Sequence, residues 1–119
     1  MNIEFFRSYC LAKKGVTEEF PFDEQTLVFK VMGKMFALSG LERMPAQVNL
    51  KCDPERAITL REEYPDHILG GYHMNKKHWN TVILENSLPP KFICELIDHS
   101  YDLVVSKLTK KLKEELAQM

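Results

Sequence analysis

Two β-forming runs on either side of a tight-turn signal do most to limit what this chain can fold into. Leu27-Val28-Phe29-Lys30-Val31 and Met35-Phe36-Ala37-Leu38 are rich in β-branched and aromatic residues, and Gly33-Lys34 sits in the short connection between them. Glycine tolerates the left-handed backbone that a two-residue turn demands, so the pair reads as a β-hairpin. The next segment, Gln47-Val48-Asn49-Leu50-Lys51, alternates. Val48 and Leu50 would point inward and Gln47, Asn49 and Lys51 outward, the pattern of a strand with one wet face.

Helical signals flank these strands. Ile3, Phe6 and Cys10 recur at helical spacing from Asn2 to about Lys13, and Gly15 is a natural stop. Val16 to Phe22 reads as a short extended piece, since Pro21 biases Phe20 away from helix. Asp53-Pro54 joins a capping carboxylate to a proline suited to the first helical position. The helix it opens lines its inner side with Ala57, Leu60 and Tyr64 and ends at Pro65. Tyr72 to Asn75 and Trp79 to Leu84 read as a second hairpin, with Asn75-Lys76-Lys77 near its tip. Pro89-Pro90 opens the longest helix, whose apolar stripe is Ile93, Leu96, Ile97, Ser100, Tyr101, Val104 and Leu108. A charged helical segment from Thr109 to Gln118 follows.

The expected order is helix, three strands, helix, two strands, two helices. Strands that come in hairpins make a largely antiparallel sheet of about five strands. Helices on one face then give a two-layer α+β fold, a single domain over residues 1–119.

Composition narrows the function classes. The chain has 119 residues, 45% of them apolar and 28% charged, as in an ordinary globular domain. Its formal net charge is −1, so no global basic field draws it to nucleic acid or to an anionic membrane. Nucleic-acid binding would need a local patch and would be sensitive to salt. Cys10, Cys52 and Cys94 are odd in number and widely spaced, with no C-x-x-C pair. That pattern predicts reduced thiols in the cytoplasm rather than a zinc or redox motif. The first residues lack the features of a signal peptide, and no apolar run is long enough to span a bilayer, so no membrane partner is expected.

Chemistry-bearing residues concentrate between Gly70 and Val82. That segment holds the single Trp (Trp79), two of the four histidines (His73 and His78), the Lys76-Lys77 pair and a Gly-Gly step. Lysines at turn tips suit phosphate recognition, because a mobile ammonium follows a backbone without reading sequence. The bland alternative is that turn lysines keep a protein soluble. Trp79 with flanking His and Lys could stack on a base; its bland alternative is a core anchor against the long helix. Two histidines across a turn fall short of the three or four converging ligands a metal needs, so no metal or cofactor is expected. Asp66-His67 and Asp98-His99 are sequence neighbours, which do not face each other on a helix or strand. With no phosphate loop and no nucleophile or metalloprotease motif, the chain reads as a non-enzyme. Lys107, Lys110, Lys111 and Lys113 form a basic strip whose simplest reading is a solvated helix face.

Several segments together resemble the MmcQ/YjbR family of small bacterial proteins. They are Gly15-Val16-Thr17-Glu18-Glu19-Phe20-Pro21-Phe22, Lys30-Val31-Met32-Gly33-Lys34-Met35-Phe36-Ala37 and Val48-Asn49-Leu50-Lys51-Cys52-Asp53-Pro54-Glu55. Tyr72-His73-Met74-Asn75-Lys76-Lys77-His78-Trp79-Asn80-Thr81-Val82 and Leu96-Ile97-Asp98-His99-Ser100-Tyr101-Asp102-Leu103-Val104 complete the set. The resemblance implies a secretion-chaperone-like α+β fold and DNA binding through a double wing of hairpins. Carried onto this chain, the wings are the hairpins around Gly33-Lys34 and Asn75-Lys76-Lys77. The DNA-contacting residues would be Lys34, His73, Asn75, Lys76, Lys77 and His78, with Trp79 as scaffold or stacking partner. The expected partner is DNA and the expected state a monomer or weak dimer. The competing expectation is a protein- or small-ligand-binding module using the open sheet face.

Overall fold

The structure, a computed structural model, describes residues 1–71, 74–85 and 88–119. Helix α1 (Ile3–Leu11) is capped by Asn2, whose side-chain oxygen accepts the Phe5 amide at 2.8 Å. Four strands follow: β1 (Val16–Glu19), β2 (Thr26–Val31), β3 (Lys34–Gly40) and β4 (Gln47–Lys51). Helix α2 (Pro54–Glu63) starts at the Asp53 cap, which accepts the Arg56 amide at 3.2 Å. Strands β5 (Ile68–Gly70) and β6 (Trp79–Ile83) precede α3 (Pro90–Ser106) and α4 (Lys110–Ala117). Thr109 caps α4 by accepting the Leu112 amide at 3.2 Å.

The six strands form one antiparallel sheet in the order β1-β2-β3-β4-β6-β5. The extended piece after Gly15 is therefore a full member of the sheet, which raises the strand number from about five to six. Met32 (φ 50°) and Gly33 (φ 81°) make the β2–β3 turn, so Lys34 is the first residue of β3 and not a turn residue. Two consecutive left-handed residues match the right-handed twist of the flanking strands. The second hairpin also differs from the sequence reading. Its first strand is Ile68–Gly70, with Gly70 opposite Asn80, so the strand ends at the Gly-Gly step. The expected strand from Tyr72 to Asn75 falls partly on Tyr72 and His73, which lie outside the described residues.

All four helices pack on one face. Phe6 and Cys10 of α1, Ala57 and Leu60 of α2, Ile93, Leu96, Ile97 and Val104 of α3 and Leu116 of α4 bury against Leu27, Phe29, Val31, Phe36, Val48, Leu50, Ile68 and Val82. A bulge between Phe29 and Lys30 on the β2–β3 ladder turns both Phe36 and Ala37 toward this core. Ser100, fully buried on α3, holds the bulge: it donates to the Phe36 carbonyl at 2.5 Å and accepts the Lys51 amide at 2.9 Å. Gly15 (φ 74°) lets α4 close over the start of β1, since a Cβ there would lie 2.5 Å from Leu116 Cδ1.

The opposite face has no helix among the described residues. Its central row runs Glu19, Val28, Leu38, Asn49, Thr81, Leu69 across the six strands. Val28, Leu38 and Trp79 form a small second core there, covered by Met35 and Met74.

Candidate nucleic-acid interface

Strand register places the charged connections at two opposite ends of the sheet. One end carries the β2–β3 turn, the β4–α2 junction, the β5–β6 loop and the α3–α4 junction. Helices α1 and α3 both run toward this end: the Met1 amine donates to the Leu84 carbonyl at the far end, and Ser100 bonds near the close of β4. Lys34, Lys51, Lys76, Lys77 and Lys107 therefore share one end, with Lys110 and Lys111 opening α4 beside them. The other end carries the β1–β2 and β3–β4 connections, the close of α2 and the exit of β6. There stand Asp23, Glu24, Glu42, Glu63, Asp66 and Glu85. Asp53 lies among the lysines at the first end and Arg43 among the carboxylates at the second, so the ends of this chain of net charge −1 are lysine-rich and carboxylate-rich, respectively.

Lys34 at the start of β3 and the Lys76-Lys77 turn are on the same end of the sheet, separated along it by β4 and β6. From β3 to β5 is three strand spacings, roughly 14 Å. Lys34 is exposed at the start of β3, and Lys76 and Lys77 are exposed in the loop. Lys51 stands between them, half-buried, with its Nζ 5.8 Å from the centroid of the Trp79 ring opposite.

The described residues of the β5–β6 connection, Gly71 and Met74 to His78, are tied down by backbone bonds. The Gly71 amide donates to the Trp79 carbonyl at 2.9 Å, and the Asn75 carbonyl accepts from the His78 and Trp79 amides at 3.2 and 3.0 Å. Asn75 also accepts the Lys77 amide at 2.8 Å through its side-chain oxygen, so that oxygen serves the turn. Arg61 of α2 donates to the Lys76 carbonyl at 3.0 Å and to Ala57 at 3.1 Å, bracing the loop from the helix side. Gly70 leaves room for this, since a Cβ there would lie 3.1 Å from both Arg61 Nη1 and Lys76 Cδ. The Cys52 amide donates to the His78 carbonyl at 2.8 Å, which anchors the loop's end to the β4–α2 junction. His78 is half-buried and lines a hollow of about 150 Å³ with Lys51, Asp53 and Lys107.

Trp79 is only 6% exposed, and it packs with Val28 and Leu38 on the face away from the long helix. The expected anchor against that helix is therefore corrected: a β6 residue opposite the outward Lys51 must itself point outward. Of the residues singled out from the sequence, Lys34, Asn75, Lys76, Lys77, His78 and Trp79 lie at one end of the sheet, and His73 lies outside the described residues. Lys51, Arg61 and Lys107 were not singled out for this site. The one available signal for Lys51 was its place as the last outward residue of an alternating strand. Arg61 and Lys107 sit on helices whose docking no local pattern reveals.

The acid–imidazole neighbours of α3 diverge. Asp98 accepts from Tyr9 at 2.8 Å and from Lys13 at 2.5 Å on the α1 side. His99 Nε2 accepts the Asp53 amide at 3.1 Å on the α2 side. Burial, reinforced by Arg56, holds the His99 pKa below its ordinary value. Burial likewise pushes the Cys10 thiol up to about 12 and the Cys52 thiol up to about 11. Among the described residues no group of three or more His, Cys, Asp or Glu could hold a metal, and no helix is long and apolar enough to cross a membrane.

Comparison with known proteins follows the same architecture. The YjbR family model matches residues 11–103. The uncharacterized protein YjbR of Escherichia coli K12 is 37% identical over 120 residues, covering all of both chains. The uncharacterized protein YbdF of Escherichia coli O157:H7 is 41% identical over 91 residues, 76% of this chain and 74% of that one. A crystal structure of a Deinococcus radiodurans protein with a DUF419 domain superposes with a TM-score of 0.90 at 43% identity, covering 98% of this chain and 88% of that one. A Pseudomonas syringae protein superposes with a TM-score of 0.73 at 31% identity, covering 87% of this chain and 98% of that one.

Proposed function

The chain belongs to the YjbR family, and we propose that it is a non-enzymatic DNA-binding protein that grips the phosphate backbone with the cationic end of its sheet. Lys34 on one hairpin and Lys76 and Lys77 on the other act as the two wings, and Lys51 and Lys107 supply positive charge between them. The observation that carries this reading is the placement of Lys34 and of Lys76-Lys77 at one end of a single sheet, with Asp23, Glu24, Glu42, Glu63, Asp66 and Glu85 at the other. A near-neutral protein presented this way attracts a polyanion to one side only.

Roles divide by chemistry. The exposed lysines contact phosphates, which positions the protein without reading bases. His78 and the Asn75 amide nitrogen supply shorter-range polar contacts. Trp79 is scaffold: its ring is buried and carries Lys51 across its face. His73 belongs to the same proposed interface by its place in the chain. The protein works as a monomer or weak dimer, and three cysteines with no disulfide among them suit a reducing cytoplasm.

The test is a mobility-shift titration at low salt with the variant Lys34→Glu/Lys76→Glu/Lys77→Glu. Reversing three charges at the interface should reduce duplex affinity by at least a hundredfold while circular dichroism stays unchanged. Wild-type affinity in the folded variant would remove the reading.

A further inference from the structure

On the face opposite the helices lies a groove of about 420 Å³ that the phosphate-binding reading does not use. Its apolar lining includes Leu38 of β3, Phe22 of the β1–β2 connection and Met74 of the β5–β6 loop. Apolar surface continues beyond it at the carboxylate-rich end. Phe20, beside Phe22, and Leu41 and Met44 of the β3–β4 connection are all exposed, with Phe22 at 68% and Met44 at 80%. The two connections are neighbours: the Leu41 amide donates to the Gln25 carbonyl at 2.7 Å, and Phe22 and Arg43 line the same groove. Large apolar side chains left in water on adjoining connections mark a surface that a partner covers. A ligand filling the groove alone would leave Phe20, Leu41 and Met44 in water, so the surface suits a partner chain better than a small molecule.

Charge selects the partner. Asp23, Glu24 and Glu42 stand exposed among these apolar residues. Arg43, the single cation of the two connections, is itself engaged. The Gln25 and Thr26 amides hold the Asp23 carboxyl below the usual carboxylate range, so it stays ionised. Thr26 lines the groove and also donates to Asp23 through its hydroxyl at 3.3 Å, which sets that charge at the groove's rim. A second copy docking here about a twofold axis would bring the same carboxylates together, which disfavours self-association. A cationic partner complements them.

We infer that this end docks a basic peptide segment of another protein, a large apolar side chain seated in the groove beside Phe22, Leu38 and Met74 and flanking Lys or Arg residues against Asp23, Glu24 and Glu42. Isothermal titration at low salt with the amidated peptides KLFKKL, KSSKKS and ELFEEL tests it. KLFKKL should bind saturably, KSSKKS about tenfold more weakly for want of an anchor, and ELFEEL not at all. Phe22→Ser, at an exposed loop position, should weaken KLFKKL about tenfold. Glu24→Lys/Glu42→Lys should weaken it too, and more at low salt than at high. No saturable heat with KLFKKL, equal binding of either control peptide, or undiminished binding to Phe22→Ser overturns the assignment. So does a concentration-dependent dimer in sedimentation that Phe22→Ser abolishes, because a second copy would then be the occupant. Lys34→Glu/Lys76→Glu/Lys77→Glu should bind KLFKKL as wild type does, so failure of the DNA reading and failure of this one are separable.

Discussion

His99 shows how one side chain links the helix layer to the interface end. Its Nε2 accepts the Asp53 amide, the residue that caps α2 and borders the hollow beside His78 and Lys107. The bond requires the neutral ring, and burial together with Arg56 disfavours the charged one. The folded-state pKa therefore lies below the ordinary value of about 6.5. As pH falls through that value the unfolded chain takes up a proton that the folded chain resists, so stability drops with falling pH. The contribution is complete above the ordinary pKa and is lost progressively as pH falls toward and through the lower folded value. His99→Gln retains an acceptor for the Asp53 amide but cannot titrate. Urea midpoints measured from pH 7.5 down to pH 5 should fall less steeply for this variant than for wild type; parallel curves would refute the coupling.

At the scale of elements, the junction that matters most is α3 against β3 and β4. A bulge leaves backbone groups without ladder partners, and buried ones must find others. Ser100 satisfies two at once, the Phe36 carbonyl and the Lys51 amide. It therefore sets where β4 ends and thus where Lys51 enters the cationic end. Ser100→Ala removes the bridge and leaves both groups buried and unpaired. The expected loss is about 1–3 kcal/mol, read as a lower denaturant midpoint with an unchanged slope. An unperturbed midpoint would show that water or a neighbour replaces the hydroxyl. The long helix's apolar stripe was legible in the sequence, Ser100 included. Its hydroxyl's purpose was not, because the bulge that needs it arises only when β2 and β3 pair.

For the whole molecule, the proposed DNA binding rests on charge segregation and not on charge excess. If the cationic end engages four phosphates, the log of the binding constant should fall with log salt at a slope of about −3.6. Each lysine removed from that end should make the slope shallower by about 0.9. Glu42→Gln and Glu63→Gln at the far end each change the formal charge by one unit, as removing a patch lysine does, yet lie beyond a Debye length of about 10 Å at ordinary salt. They should leave slope and affinity near wild type at 0.1 M salt. Equal effects from both ends would mean that net charge governs, and the polarised interface would be refuted.

Local chemistry was enough to place the hairpin around Gly33, the alternating strand from Gln47 to Lys51, the cap at Asp53 and the stripe of α3, because each depends on neighbours within a turn or a strand length. The tertiary structure alone decided which face Trp79 occupies: Trp79, Asn80, Thr81 and Val82 are all buried in a strand covered on both sides, so no alternation marks its faces. It alone also gathered Lys51 and Lys107 between Lys34 and Lys76-Lys77. Long-range strand order and helix docking place those residues, and they are properties of the assembled sheet that no window of the chain contains.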